Sequence, residues 1–151
     1  MPKKSKKKSN NQERRVTDQL LKHWKKLKGK RPYPSLADIH PADIKDIWAD
    51  CFMVEIDDNH RHHYTYLGEN ICDMLGGDLT GTSVLYLSDN LASKYFGVVE
   101  KKKPLVDESE FINLKNNEVK YRQILLPVGP DKKTVDHVLG AMRYKQDDEE
   151  D

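Results

Sequence analysis

The feature that most limits how this chain can fold is the order of its strand-like and helical segments. Two strand-like segments come first, at Cys51–Asp57 and 62–68. Two helical segments follow, and three further strand-like segments close the chain: Leu105–Leu114, Val119–Val128 and Thr134–Tyr144. Turn-forming residues separate the neighbouring strands. Strands grouped in this way predict an α+β domain with a five-stranded antiparallel sheet.

Two helices are expected between these groups of strands. The first is predicted over Glu69–Leu75, and Gly76 ends it. The second begins after Ser88 or Asp89, either of which can cap a helix, and it ends before Pro104. A further short helix is expected ahead of the first strand, starting at a proline, with an apolar side formed by Ile44, Ile47 and Trp48.

An amphipathic helix is predicted at the N-terminal side, from Glu13 to Lys28. Its apolar side chains recur at helical spacing and form one stripe, made of Val16, Leu20, Trp24 and Leu27. Two roles for this stripe follow from its position on one face. It is either the contact surface for a protein partner or a second copy of the chain, or it packs on the domain's own sheet.

Charge is distributed very unevenly along the chain. The net charge is only +1, yet residues 1–31 hold 13 Lys/Arg and 2 Asp/Glu, and the remainder holds 13 and 23. We therefore predict a disordered basic tail over 1–12 and a disordered acidic tail over 146–151, because single-sign blocks repel themselves and bury nothing. The helix then occupies 13–30 and the domain 31–145. The lysine-rich tail either keeps the chain in solution or binds nucleic acid or an anionic surface.

Several classes of protein are not expected. A run of about 18 apolar residues is absent, which argues against a membrane span, and the basic N-terminus lacks the apolar stretch of a signal peptide, so we expect a cytoplasmic protein. Cys51 and Cys72 are predicted to be reduced packing residues. No GxSxG or GxxxxGK motif occurs, and an enzyme is not predicted.

Three histidines lie close together in the sequence, at His60, His62 and His63. A turn could present two of them to a metal ion. No Cys or carboxylate pair at ligand spacing accompanies them, however, and adjacent residues on a strand point to opposite faces. We interpret them as solvated turn residues and predict no metal site.

Four blocks of sequence resemble the PAS_5 family of PAS domains, found mainly in alphaproteobacteria. LLKHWKKLKG (20–29) is similar to the family's LLxxWxxLRG-like helix, and RPYPSLADIHPADIKDI (31–47) to its RxxPxRxDIDPxxI segment. The stretches 64–81 and 121–144 resemble its YRLVGT…GRDLTG block and its YERLLLPLxxDGxxVDMLLGALxY ending. His40 and Gly77 depart from the acidic and arginine residues of the pattern. The resemblance implies a PAS-like five-stranded sheet with short helices covering one face and an N-terminal amphipathic helix.

The resemblance also implies a sensory or signalling module that binds a small ligand or a protein partner. A protein-interaction adaptor without any ligand is the alternative. The residues beside the PAS-like part contain no kinase, cyclase or DNA-binding block, so we expect output through a partner in trans or a homodimer. Polar-tipped or adaptable side chains suit a pocket, which makes the ligand-binding candidates Tyr66, Asn70, Met74, Tyr95, Tyr121 and His137.

Haem and flavin are disfavoured as cofactors. Haem-binding PAS domains usually supply an axial His from the helix before the closing strands, and 88–103 contains no His. Flavin-binding photosensor domains carry an NCRFLQ-like motif, which the surroundings of Cys72 do not match.

Overall fold

The structure, a computed structural model, describes residues 2–145 and their side chains from Arg14 onward. Five strands form one antiparallel sheet in the order β2-β1-β5-β4-β3. The strands are β1 (Cys51–Ile56), β2 (His62–Leu67), β3 (Leu105–Ile112), β4 (Glu118–Val128) and β5 (His137–Tyr144). The helices are α1 (Pro2–Lys28), α2 (Glu69–Leu75) and α3 (Asp89–Lys101). The predicted α+β class and five-stranded antiparallel sheet are confirmed.

The two short helices have the ends that the sequence predicts. The Ser88 hydroxyl accepts a 3.2 Å hydrogen bond from the amide of Leu91 and caps α3. Gly76 ends α2 in a left-handed conformation with a φ of 84°, where a side chain would be strained. The helix predicted around Pro41 is replaced by three 3-10 turns: Leu36–Asp38, Pro41–Ile44 and Trp48–Asp50.

The face of the sheet covered by α2 and α3, called the inner face here, holds the larger core cluster. Aromatic side chains dominate it, and Phe52, Tyr64, Tyr95 and Tyr121 are all at most 1% exposed. Gly140 lies under the Phe52 ring, which leaves no room for a Cβ at that position. Close packing of this kind lets strands β1 and β5 support a large ring without a cavity.

The opposite face, called the outer face here, is covered by α1. Apolar side chains of the central strands, among them Met53, Ile124, Leu126, Leu139 and Ala141, form a second core cluster with the α1 stripe. The indole N–H of Trp24 donates a 2.9 Å hydrogen bond to the carbonyl of Pro127 and fixes α1 on β4. The sheet is therefore sandwiched between two apolar layers.

The α1 stripe occupies the second of its two predicted positions. Val16, Leu20 and Trp24 are 5%, 0% and 3% exposed, and Leu27 packs at the edge of the same cluster. The reason is that alternate residues of β4 and β5 make the outer face apolar as well, so the stripe buries itself there. These side chains do not form an exposed surface for a partner or a second copy while α1 stays on the sheet.

Element boundaries differ most from the prediction at the starts of α1 and β5. Helix α1 starts at Pro2 instead of Glu13, so 2–12 is helical where a disordered tail is predicted; this segment lacks a helix breaker after Pro2, and lysine favours helices. Strand β5 starts at His137, because the Asp131 carboxylate accepts the amides of Lys133 and Thr134, both at 2.9 Å, and holds them in a turn. The predicted acidic tail 146–151 lies outside the described residues.

Hydropathy adds one further finding. Among the described residues, no helix combines the length and the apolar character needed to cross a membrane.

Candidate functional site

The six residues predicted to line a pocket do not converge on one site. Tyr95 and Tyr121 lie in the inner-face core. Asn70 and Met74 border a small cavity beside α2. Tyr66 packs with the outer-face cluster, and His137 lies at the start of β5. The structure therefore offers separate candidate regions in place of a single pocket.

A partly buried polar network links α3 to strands β3 and β4 on the inner face. Its centre is Asp107, whose carboxylate accepts a 2.8 Å bond from the Lys94 ammonium and a 2.7 Å bond from the Tyr121 hydroxyl. The side-chain amide of Gln123 donates to the same carboxylate at 3.2 Å. Burial, together with the hydrogen bond and charge of Asp107, raises the pKa of Tyr121 far above its ordinary value. Tyr121 is therefore a neutral donor at physiological pH.

Gln123 leaves this network incomplete. Its side chain is fully buried, and its carbonyl oxygen has no hydrogen-bond partner among the described residues. Leaving a buried acceptor unpaired costs about 1–3 kcal/mol. The network thus leaves one buried acceptor without a hydrogen bond from the described residues.

Next to the network, two tyrosines of the inner face pair with each other. The hydroxyls of Tyr64 and Tyr95 lie 3.0 Å apart, and their rings meet edge to face at 6.0 Å. Burial raises the pKa of Tyr64 to about 12 and that of Tyr95 well above 10. With Phe52 beside them, 6.0 Å from the Tyr95 ring, these rings occupy the space between the sheet and α3.

The cavity beside α2 is small and its buried charge is already paired. It has a volume of about 220 Å³ and contains Asn70 and Met74. The Asp50 carboxylate, which is 5% exposed, accepts a 2.8 Å bond from Asn70 and a 3.3 Å bond from Arg143. These hydrogen bonds link β5 to α2, and they leave the Asp50 carboxylate little free hydrogen-bonding capacity for a ligand.

The two remaining candidates take part in contacts within the chain. The rings of Tyr66 and Trp48 stack with their centres 4.4 Å apart. The Tyr66 hydroxyl also donates a 2.9 Å hydrogen bond to the backbone carbonyl of Trp48. His137 contacts Asp136 through Nδ1 at 2.9 Å and lies 3.9 Å from the Glu55 carboxylate. Both side chains therefore have structural partners.

The histidine-rich turn forms the edge of a larger cavity that the sequence analysis did not anticipate. His60 is exposed, as expected of a solvated turn residue, but His62 packs edge to face on Phe96 of α3, with ring centres 4.5 Å apart. His63 instead contacts Glu55, with its Nε2 3.2 Å from the carboxylate. Neighbouring His62 and His63 thus point to opposite faces, as predicted. Among the side chains that the structure describes, from Arg14 to Lys145, no group of three or more His, Cys, Asp or Glu is arranged to hold a metal ion.

Sequence reasoning missed the acidic centre of the network, although a signal was present. Leu105, Asp107 and Phe111 share a face of β3 by alternation, so the sequence places a carboxylate on the apolar side of a strand. Such a carboxylate needs a buried partner. Lys94, which supplies it, cannot be identified without the crossing geometry of α3.

Comparisons with known proteins support the fold described above. Residues 12–143 match the model of the PAS_5 family, described as a PAS domain. A search of curated proteins gives no match.

Solved structures with a similar fold include LOV domains. The LOV protein of Rhodobacter sphaeroides is 12% identical, with a TM-score of 0.53 over 70% of this chain and 68% of that one. The LOV domain of a blue-light-activated histidine kinase from Erythrobacter litoralis is 8% identical, with a TM-score of 0.52 over 64% and 95%. At this identity the likeness shows the fold alone. Because the family model covers most of the sequence, the chain belongs to the PAS_5 family of PAS domains.

Proposed function

We propose that this PAS domain is a non-enzymatic signalling module that binds a small ligand or a protein partner and acts in trans. The observation that carries the proposal is the arrangement of two neighbouring residues of β4. Tyr121 joins the inner-face network, and Arg122 on the other side of the strand donates a 3.4 Å hydrogen bond to Thr17 of α1. A change on the inner face that moves β4 should therefore be transmitted to α1 on the outer face through these two contacts.

The absence of catalysis is part of the proposal. Burial raises the pKa values of Tyr64, Tyr95 and Tyr121, which makes them poor bases and nucleophiles near neutral pH. Burial also raises the pKa of the Cys51 thiol far above its ordinary value, so little thiolate forms. These groups are suited to packing and hydrogen bonding.

We also propose that the domain works without haem or flavin. The aromatic rings of Phe52, Tyr64 and Tyr95 occupy the space between the sheet and α3, where a planar cofactor would need room. Cys72 lies on α2 with its sulfur 3.8 Å from the carbonyl of Leu67. A cytoplasmic location in a bacterial cell agrees with the two free thiols.

Native mass spectrometry of the protein purified gently from its own cells tests this function. A retained small-molecule mass supports a ligand sensor. A stoichiometric protein companion, or a homodimer that persists on dilution, supports the adaptor form. A bare monomer that copurifies with neither contradicts the proposed function.

A second candidate function is binding to nucleic acid through α1. Arg14, Arg15, Lys22, Lys25 and Lys26 are exposed on this helix, and its backbone continues without a break to Pro2. Lysine and arginine that neutralise phosphates release counterions, which makes binding independent of sequence and sensitive to salt.

A salt titration distinguishes this candidate. Duplex DNA of random sequence should bind with a logarithmic affinity that falls linearly with the logarithm of salt concentration, and the slope should become shallower in a Lys22→Gln, Lys25→Gln, Lys26→Gln variant. The exposed Lys103→Gln, Lys132→Gln and Lys133→Gln changes, all outside α1, provide a control that loses the same three charges. Equal slopes in all three proteins exclude the helix as the binding element.

A further inference from the structure

A candidate site outside the core is a cavity of about 570 Å³ between the β1–β2 turn, the segment 81–85 and α3. This volume lies within the usual range for sites that take small molecules. Backbone hydrogen bonds build its walls. Val84 donates to the carbonyl of His62 at 3.1 Å, and Tyr64 donates to that of Thr82 at 3.0 Å, so the segment is pinned along β2.

One wall of this cavity is cationic. Arg61 is exposed, and no ion pair of its guanidinium is found within the described part of the chain. The nearby Asp57 carboxylate is engaged by the turn, because it accepts the amides of Asn59 at 2.8 Å and of Arg61 at 3.0 Å. Asp57 therefore shapes the turn, and the guanidinium remains available to an anion.

The opposite wall is apolar and unusually open to water. Leu85 is 54% exposed and Phe96 is 38% exposed, beside the buried side chain of Val84. A ligand with an aromatic or aliphatic body would remove this area from water. His62 joins the two walls, because its ring packs on Phe96 and its Nε2 is buried without a hydrogen-bond partner among the described residues.

From this combination we propose that the cavity binds a small carboxylate with an aromatic or aliphatic body. Arg61 pairs with the carboxylate, while Phe96 and Leu85 cover the apolar part. A neutral molecule would leave the guanidinium unpaired, and an inorganic anion would leave the apolar wall in water. The inference rests on the proposed function and gives its small ligand a chemical class.

An NMR titration of the full chain tests the proposal with defined probes: benzoate, phenylacetate and 4-methylpentanoate. The expected result is a saturable shift of the backbone amides of 60–63, 83–85 and Phe96, with at least one probe. The neutral analogue phenylacetamide and the Arg61→Gln variant should each weaken binding about tenfold or more. Phe96→Ala should weaken it as well, and Lys132→Gln, an exposed change in another turn, should leave it unchanged.

Three results would overturn the proposal. They are the absence of saturable shifts with every carboxylate at about 10 mM, equal affinity in wild type and Arg61→Gln, and inorganic phosphate binding as tightly as phenylacetate. A failure here is distinguishable from failure of the proposed function, because a stoichiometric protein companion in native mass spectrometry would preserve the signalling module without this site.

Discussion

The hydroxyl of Tyr121 donates a 2.7 Å hydrogen bond to the Asp107 carboxylate and joins β4 to the edge strand β3 inside the core. The two residues are diagonal neighbours on the same face of the sheet, since Asp107 pairs with Gln123 and Ser109 pairs with Tyr121. Lys94 of α3, the helix that covers the inner face, places its ammonium 2.8 Å from the Asp107 carboxylate. A helix and two strands are thus joined through one partly buried charge pair.

Removing the hydroxyl of this contact should weaken the fold. Tyr121→Phe leaves the partly buried Asp107 carboxylate with one donor fewer, and we expect the free energy of unfolding to fall by about 1–3 kcal/mol. Urea denaturation measures the change. Tyr86→Phe is the matched control, because Tyr86 is 67% exposed and should change stability by less than about 0.5 kcal/mol. Equal effects would show that the Tyr121 hydroxyl makes no net contribution.

Two glycines make a second matched pair. A Cβ at Gly140 would collide with the Phe52 ring, so Gly140→Ala should destabilise the domain by about 1–3 kcal/mol. Gly97 lies inside α3 and has open space around its Cβ position, so Gly97→Ala should stabilise it by about 0.5–1 kcal/mol. Thermal unfolding should therefore shift in opposite directions, and a shift of the same sign would contradict the packing described for the inner face.

The two thiols should differ in reactivity. Cys51 is fully buried and burial raises its pKa, whereas Cys72 is only partly buried. Ellman's reagent should label Cys72 in the native protein and reach Cys51 only on unfolding. The Cys72→Ser variant should then show almost no native labelling. Rapid native labelling of that variant would show that the outer-face core opens readily.

Acid should weaken the fold through His62. Burial lowers the pKa of this residue below its ordinary value of 6.5, so the unfolded chain takes up the proton first as the pH falls. The stabilisation is complete above pH 6.5 and is lost as the pH falls below that value. Denaturation between about pH 7.5 and pH 5.5 should show a smaller loss of stability in His62→Gln than in wild type or the exposed-residue control His60→Gln. An identical loss in all three would assign the pH dependence to other groups.

The fold could be read from the sequence because its determinants are local. Alternation along β3, continuous apolar runs in β4 and β5, and the turn residues between them define the strands. Ser88 and Gly76 mark helix ends through capping and a left-handed backbone conformation. Helix α1 begins at Pro2 in the structure and not at Glu13 for a related reason. Charge repulsion in 2–12 argues for disorder, while the same lysines favour helix, and in the structure the helical preference prevails.

The candidate ligand-binding site could not be predicted from local sequence patterns in this way. Tyr66 and Tyr95 share a residue type that suits ligand pockets, yet one stacks on Trp48 and the other fills the core. Their roles depend on which helix or turn packs against which strand. The alternation of residue types along a strand does not specify this packing. Arg61 precedes β2 and Phe96 lies in α3, so the two residues are distant in the sequence. Only the packing of α3 brings them to one cavity.

Coupling between the two faces of β4 is the central claim, and hydrogen exchange of the α1 backbone tests it most directly. Tyr121→Phe should raise amide exchange over the packed part of α1, residues 16–28, several-fold above wild type, because Arg122 and its contact to Thr17 follow the movement of β4. Tyr64→Phe, which removes a comparable inner-face hydrogen bond on β2, should leave α1 protected. Equal protection of α1 in both variants would contradict the account.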